Sequence, residues 1–252
     1  MSGKSAIEWT NQTWNPVIGC TRVSAGCDHC YAFALHTQRH QIYLKNGGVW
    51  SSGGKVMPRQ YAQPFTEMQL LTERLEAPLH IKQPKMIFVN SMSDLFHSRV
   101  PDAYIHQVFA VMEQASWHTF QILTKRPGRL RRIGPLLRWP KNVWIGVSIE
   151  NDSMTRRADV LRTLPAAIRF LSCEPLLGPL PSLSLNGIDW VIVGGESGSG
   201  ARPVEQEWIL DLRDRCKTEK IPFFFKQWGG RTAKAGGRIL EDEIWNEYPQ
   251  IE

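Results

Sequence analysis

Seven short apolar segments recur along this chain, and they constrain its fold more than any other feature. They are rich in Val, Ile and Phe and are apolar on both faces of an extended strand rather than at alternate positions. Strands of a parallel sheet that is covered on both sides have this pattern. The segments are residues 14–19, 85–91, 119–124, 142–148, 168–173, 189–195 and 221–226.

Helical patterns lie between several of these segments. Residues 101–115 and 203–219 begin with Pro, and residues 153–165 begin with a Ser cap and end at a Pro. Repetition of a strand and a helix predicts an α/β fold, a partial parallel (β/α)6–7 barrel of the TIM-like type. We predict one domain over residues 1–252. A Gly-, Ser- and Pro-rich insertion lies at about 45–64, and a short tail starts at about residue 228.

Composition limits the classes of protein that this chain can belong to. The 252 residues are 42% hydrophobic and 21% charged, which is typical of a packed core. The N-terminus lacks the apolar block of a signal peptide, and no apolar stretch is long enough to span a membrane. These features predict a cytoplasmic protein without a membrane partner. The net charge of +6 favours an anionic partner such as nucleic acid.

Three of the five cysteines, Cys20, Cys27 and Cys30, fall within eleven residues. In a cytoplasmic protein, cysteines indicate metal binding or catalytic use rather than disulfides. One interpretation is a zinc site, which needs four ligands and would take His36 or Cys173 as the fourth. The other is a [4Fe–4S] cluster with one iron left without a protein ligand, because thiolates also favour iron–sulfur groups.

Polar or small residues follow the predicted strands. In parallel barrels the loops after the carboxyl ends of the strands form the active site, so these side chains are expected to converge. A single position such as Ser93 could be only a helix cap, but capping does not explain charged residues at several ends. The candidate site residues among them are Asn90, Ser91, Ser93, Lys125, Ser148, Glu150, Cys173, Glu174, Gly194, Gly195, Glu196 and Lys226.

The chain resembles radical S-adenosylmethionine enzymes, and most closely the "three-Cys-motif" proteins of phages and bacteria. Tyr31 directly follows the last cysteine, as an aromatic residue does in that family, but six residues separate Cys20 from Cys27 where the common spacing is three. The matching pieces span most of residues 8–230. They are WTNQTWNPVIGCTRVSAGCDHCYA, FVNSMSDLFH, ILTKRP, WIGVSIEN, FLSCEPLLGPL, VIVGGESG and FFFKQWGG.

This resemblance implies cofactors and roles. Cys20, Cys27 and Cys30 would bind a [4Fe–4S] cluster, and its open iron would bind S-adenosylmethionine. With an electron from a donor such as flavodoxin or ferredoxin, cleavage of S-adenosylmethionine would give a 5′-deoxyadenosyl radical that removes hydrogen from a substrate. The protein would orient the cofactors and exclude water.

Candidate site residues follow from the same resemblance. Those for cofactor binding are Asn90, Ser91, Ser93, Lys125, Ser148, Glu150, Gly194, Gly195 and Glu196. Those for catalysis follow from their positions after the predicted strands, and they are Cys173 as a hydrogen donor, Glu174 and Lys226. A buried cysteine is more often an inert core residue, and a Gly-Gly turn followed by Glu is also common without a ligand.

Basic residues at 124–132, with Arg138, Lys141, Arg156 and Arg157, favour a nucleic-acid or nucleotide substrate. Trp50, Trp139 and Trp144 are candidates for stacking on bases, although tryptophans also belong in cores. A phage association makes modification of a base the natural target, in the host cytoplasm if a phage encodes the chain. Two alternatives stay open: a zinc-stabilised nucleic-acid-binding protein without catalysis, and a radical enzyme that acts on a peptide or small metabolite.

Overall fold

One eight-stranded sheet organises the fold. The computed structural model describes residues 3–5, 7–47, 58–232 and 235–250. The strands, in chain order, are β1 (Gly3–Lys4), β2 (Gln12–Trp14), β3 (Val17–Ile18), β4 (Gln69–Leu70), β5 (Met86–Val89), β6 (Thr119–Thr124), β7 (Val143–Ser148), β8 (Arg169–Cys173), β9 (Trp190–Gly194) and β10 (Phe223–Gln227). The sheet order is β1-β2-β5-β6-β7-β8-β9-β10, and every neighbouring pair except β1 and β2 is parallel.

Contacts across the inner face show that this sheet is curled. The ring of Trp9 lies 4.8 Å from that of Phe88 on β5 and 6.3 Å from that of Trp190 on β9, measured between centroids. In a flat sheet, four strand spacings would separate β5 from β9 by about 19 Å. Since one indole ring touches both, the sheet curls into an open half-barrel. The predicted α/β fold with a partial parallel barrel is confirmed.

The two faces of the sheet carry different side chains because neighbouring residues of a strand point to opposite sides. On β7, Val143, Ile145 and Val147 belong to the large aliphatic core that also includes helix side chains. Trp144 faces the inside, where it belongs to a mainly aromatic cluster, and Ser148 faces the inside at the carboxyl end of the strand. Inward-facing side chains thus change from aromatic to polar along the strand.

The described residues form five α-helices, which are α1 (Tyr31–Lys45), α2 (Asp102–Gln114), α3 (Pro127–Ile133), α4 (Arg157–Leu161) and α5 (Gln206–Glu219). The predicted helix at 101–115 is observed as α2, and α5 lies within the predicted helix at 203–219. The predicted helix at 153–165 is shortened to α4. A 3-10 turn at Asp152–Met154, stabilised by a hydrogen bond from the Thr155 hydroxyl to Asp152 O, precedes α4.

The first predicted strand, residues 14–19, is wrong in its position. β2 ends at Trp14, and β3 pairs with β4 outside the main sheet. Pro16 lies between β2 and β3, and it has no N–H to continue a ladder of hydrogen bonds. The chain therefore leaves the sheet before the cysteines.

The tail after residue 228 covers the open edge of the half-barrel. The backbone N–H of Phe225 donates to Trp245 O (3.1 Å), and that of Glu247 donates to Phe223 O (3.2 Å). The ring of Tyr248 packs against Trp190, with centroids 5.2 Å apart. This segment protects the exposed edge of β10, as edge strands require.

No described helix is both long enough and apolar enough to cross a membrane. The cytoplasmic location and the single domain stay predictions. Of the predicted insertion at 45–64, positions 48–57, with Trp50, lie outside the described residues.

Candidate functional site

A cavity of about 470 Å³ opens at the carboxyl ends of the parallel strands. Its volume lies in the range of small-molecule sites in proteins. Trp9, Phe88 and Leu123 contribute apolar surface from the inner face of the sheet. The cavity brings together Cys20, Cys27 and Cys30 with nine of the predicted residues: Asn90, Ser91, Ser93, Lys125, Ser148, Glu174, Gly195, Glu196 and Lys226.

The cysteines lie on residues 20–30, which we call the cysteine loop. Backbone hydrogen bonds fix its start, since Gly19 N donates to Met92 O (3.1 Å) and Cys20 N donates to Phe65 O (2.9 Å). Gly19 has a φ of 100°, which favours glycine. The loop contains a 3-10 turn at Ala25–Cys27 and ends where α1 begins. It therefore leads from β3 to α1 along the cavity wall.

The chemistry of the three thiols bears on the metal group that they fit. Among the described residues, no three His, Cys, Asp or Glu side chains are already arranged around one point as ligands of a metal ion. Cysteine thiolates bind zinc and also hold [4Fe–4S] clusters. The three thiols that line this cavity are therefore donors that either group accepts.

Neither candidate for a fourth zinc ligand reaches the described cavity wall. His36 is a buried residue of α1 outside the cavity lining, and its Nε2 lies 2.9 Å from Gln63 O. Cys173 lies in the aliphatic core on the other face of the sheet. The zinc interpretation therefore has no fourth ligand at the position where the sequence suggested one.

Arg126 lies beside Cys20. Its Nη2 donates to Thr21 O (2.8 Å) and lies 3.8 Å from Cys20 Sγ. Burial, and next the Asp94 carboxylate, raise the pKa of the Cys20 thiol to about 11, while Arg126 opposes the rise. Such a thiol is protonated at neutral pH, and it would release its proton on binding a metal.

Glu150 lies beneath the cysteine loop rather than in the described cavity wall. Its Oε1 accepts a hydrogen bond from Ser24 Oγ (2.8 Å) and pairs with Lys125 Nζ (2.9 Å). Its Oε2 pairs with Arg157 Nη1 (2.8 Å). Burial raises the pKa of Glu150, but the positive charges of Lys125 and Arg157 lower it by more than burial raises it, so the net shift is downward. Glu150 is therefore an ionised anchor of the loop, and its predicted binding of cofactor stays a prediction.

Glu196 holds the other end of the cysteine loop. Its carboxylate lies 2.8 Å from His29 Nδ1 and accepts two hydrogen bonds from the guanidinium of Arg202. Arg202 Nη2 also donates to Ala25 O (2.9 Å). Burial raises the pKa of Glu196, but Arg202 and His29 lower it to about 2 overall. The predicted Glu196 lines the cavity and also anchors the loop.

Lys226 and Glu174 form an ion pair in the cavity wall. Gly194 lies against both, since a Cβ atom there would stand 3.4 Å from Lys226 Cβ and 3.6 Å from Glu174 Cδ. No hydrogen bond or ion pair between described residues joins this pair to the cysteine loop. Lys226 and Glu174 are thus charged groups of the cavity that do not hold the cysteine loop.

The glycine pair after β9, Gly194 and Gly195, packs against the pair after β10, Gly229 and Gly230. A Cβ atom on Gly195 would overlap Trp228 O, and one on Gly229 would overlap Glu196 O. Gly195 N donates to Gln227 O (2.9 Å). The glycines let the backbones after β9 and β10 approach, and Gly194 itself lies outside the described cavity wall.

Cys173 is not positioned for its predicted role. It is fully buried in the aliphatic core, and burial, followed by the nearby Cys216, raises the pKa of its thiol. Ser172, its neighbour on β8, lines the cavity instead. Because successive residues of a strand face opposite sides, the prediction of a hydrogen donor in the cavity is wrong in position.

Several of the predicted nucleic-acid contacts have structural partners. Arg129 and Arg132 both pair with Asp102, and Arg157 pairs with Glu150 beneath the loop. Trp139 packs against Phe109 with ring centroids 5.0 Å apart, and Trp144 is buried in the aromatic cluster. Arg131 and Arg156 are exposed.

Comparison with models of protein families identifies the family of this chain. Residues 4–249 match the model of the family described as "Protein of unknown function (DUF5131)". The chain belongs to this family. A comparison with curated proteins found no match.

Among solved structures, this member of the family is similar to a cysteine-to-serine mutant of spore photoproduct lyase. The TM-score is 0.45 and the sequence identity is 12%. The similarity covers 78% of this chain, which spans 58% of the length of that structure.

Sequence reasoning missed most of the groups that hold the cysteine loop. Ser24, Gly26 and Arg202 had no predicted role. One signal was present, since six residues between Cys20 and Cys27 leave room for an additional turn with contacts of its own.

Proposed function

We propose that this protein is a radical S-adenosylmethionine enzyme that binds a [4Fe–4S] cluster through Cys20, Cys27 and Cys30. The observation that carries the proposal is that three thiols share one cavity of small-molecule size at the carboxyl ends of the strands. Active sites of parallel barrels occupy that end. When bound, the cluster and S-adenosylmethionine supply the one-electron chemistry that removes a hydrogen atom from substrate.

The residues of the chain have separate tasks in this proposal. Trp9, Phe88 and Leu123 exclude water from the base of the cavity, which protects reactive species from side reactions. Asn90, Ser91, Ser93, Lys125, Ser148, Gly195 and Glu196 are the wall residues proposed to contact cofactor.

Lys226 and Glu174 are proposed to contact substrate. An ammonium and a carboxylate side by side can accept a ligand that offers both a hydrogen-bond acceptor and a donor. The edge of a nucleobase offers both. We therefore propose a nucleic-acid base or a nucleotide as substrate, with a small electron-transfer protein such as flavodoxin or ferredoxin as reductant. The net charge of +6 supports an anionic substrate.

Metal analysis of anaerobically reconstituted protein tests the proposal. We expect about four irons per chain, since one cubane cluster needs four. The dithionite-reduced protein should give an EPR signal that changes on adding S-adenosylmethionine. The triple variant Cys20→Ala, Cys27→Ala, Cys30→Ala should lose iron and signal together, whereas Cys216→Ala, a matched control outside the cavity, should keep both.

Other outcomes would contradict the proposal. One tightly bound zinc and no iron would make the cysteines a structural site in a binding protein. Iron without any response to S-adenosylmethionine would leave an iron–sulfur protein of another class. For the substrate, we expect transfer of deuterium from a labelled nucleotide to 5′-deoxyadenosine. If no nucleotide or oligonucleotide transfers deuterium, the search would turn to peptides and metabolites.

A further inference from the structure

The cysteine loop rests directly on the side chain of Glu150. This residue follows β7, and its carboxylate is fully buried. Ser24 donates from the loop to Glu150 Oε1 at 2.8 Å, so one hydrogen bond links the middle of the loop to the sheet. Hydrogen bonds to a carboxylate are stronger than those between neutral groups. Glu150 is therefore a firm point of attachment between the first two cysteines and the barrel.

Gly26 shows how close this contact is. A Cβ atom at this position would stand 2.7 Å from Glu150 Cδ, which real Cβ atoms essentially never do. Gly26 has no positive φ, so the conformation of the backbone does not itself require glycine. The absence of a side chain is required by the neighbouring carboxylate instead.

The three charges that meet at Glu150 do not balance. Glu150 carries one negative charge, while Lys125 and Arg157 carry two positive charges within 2.9 Å of it. The remaining contact of Arg157 Nη1 is the neutral carbonyl of Ser148 at 2.7 Å. Lys125 and Arg157 keep the pKa of Glu150 below its usual value against the effect of burial, so the carboxylate is ionised at neutral pH. Within this group of three side chains, one positive charge is therefore left.

We propose that Glu150, Lys125 and Arg157 form a seat that positions the cysteine loop and places one positive charge beneath it. That charge offsets the negative charge that the thiolates acquire when they bind the cluster. A buried charge is costly unless an opposite charge lies near it, and the thiolates supply the opposite charge. The role of the positive charge rests on the proposed function, because it requires a bound cluster. The contact between the seat and the cysteine loop does not depend on that function.

Hydrogen exchange on the chain as purified, without added iron, tests the contact. Ser24→Ala removes the hydrogen bond to Glu150 and the 4.0 Å contact between Ser24 Oγ and Cys27 Sγ, but it leaves both ion pairs of Glu150. Amide exchange at residues 20–30 should become faster on the order of fivefold. Gly26→Ala pushes the loop off the carboxylate and should have a larger effect. Gly178→Ala is the matched control, because nothing lies within 4 Å of its Cβ position and its φ is not positive. If the amide hydrogen exchange of residues 20–30 is unchanged in both loop variants, the proposal that Glu150 positions the loop would be wrong.

A measurement of reduction potential tests the charge. In reconstituted protein, Lys125→Gln should shift the potential of the cluster to a more negative value, because the reduced cluster carries more negative charge. Arg131→Gln removes an exposed cation of α3 and serves as the control, with the potential expected to stay at the wild-type value. Equal potentials for Lys125→Gln and wild type would overturn the role of the charge.

The two tests separate this inference from the proposed function. A wild-type chain that takes up no iron would remove the proposed function and the charge together. The exchange measurement would then decide by itself whether the seat holds the loop.

Discussion

Two buried carboxylates, Glu150 and Glu196, hold the same loop in different surroundings. Glu150 is fully buried, and its partner Arg157 is only 7% exposed. The side chain of Glu196 is 4% exposed, but its partners His29 and Arg202 are 37% and 32% exposed. Water can therefore solvate the groups around Glu196 when the carboxylate is lost, and it reaches those around Glu150 much less. The comparison teaches that the energy of an anchor depends on what its loss leaves buried.

Replacing Glu150 should have the largest effect. Glu150→Gln leaves Arg157 buried without its counter-charge, and breaking a buried ion pair in this way costs about 3–5 kcal/mol. The midpoint of urea denaturation should fall accordingly. Glu219→Gln, at an exposed position of α5, should leave the midpoint unchanged. If Glu150→Gln lowers the free energy of unfolding by no more than Glu196→Gln does, the contrast between the two anchors would be wrong.

Glu196→Gln should cost less, about 1–3 kcal/mol, because it weakens hydrogen bonds to groups that solvent can reach. Its effect should be greatest near residues 25–29, where Arg202 and His29 join the loop. Hydrogen exchange resolved along the chain would show this. Equal acceleration over the whole barrel would instead indicate a global loss of stability.

The effect of pH should distinguish Glu196 further. The pKa of Glu196 is about 2 in the folded chain and 4.5 without perturbation. A lowered pKa stabilises the fold above 4.5, and this contribution is lost as the pH falls from 4.5 towards 2. The difference in unfolding free energy between wild type and Glu196→Gln should therefore shrink over that interval. A difference that stays constant from about pH 6 to about pH 3 would contradict this assignment.

Arg202→Lys should have the smallest effect, about 1 kcal/mol, since lysine keeps the charge but cannot make both hydrogen bonds of the guanidinium to Glu196. In the double variant with Glu196→Gln, the two losses should be less than additive because they remove one shared interaction. Additive losses in the denaturation midpoints would show that Arg202 acts mainly through Ala25 O.

The strands were predictable because their signal is local. Six of the seven apolar segments lie within two residues of observed strands, from β5 to β10. The prediction of the first strand failed at Pro16, where the pattern of apolar residues continues but the ladder of backbone hydrogen bonds cannot. The packing of Tyr248 across the edge of β10 had no local signal, since it depends on the contact with Trp190.

The site was predictable as a group of positions rather than as a set of roles. Nine of the twelve predicted strand-end residues line one cavity with the three cysteines. The prediction for Cys173 failed because a strand that is apolar on both faces does not show which of its alternate residues point inwards. Glu150 was found, but as a support for the loop, because its partner Ser24 lies 126 positions away in the chain.

The sequence by itself determined the α/β class, and it predicted a site at the strand ends that includes the three clustered cysteines. These follow from side-chain chemistry and from periodicity along the chain, which need no distant contacts. Only the tertiary structure decided which acids support the loop, which face the cavity, and that Gly26 lies against Glu150. The physical reason is that burial, charge pairing and steric exclusion arise between residues that folding brings together.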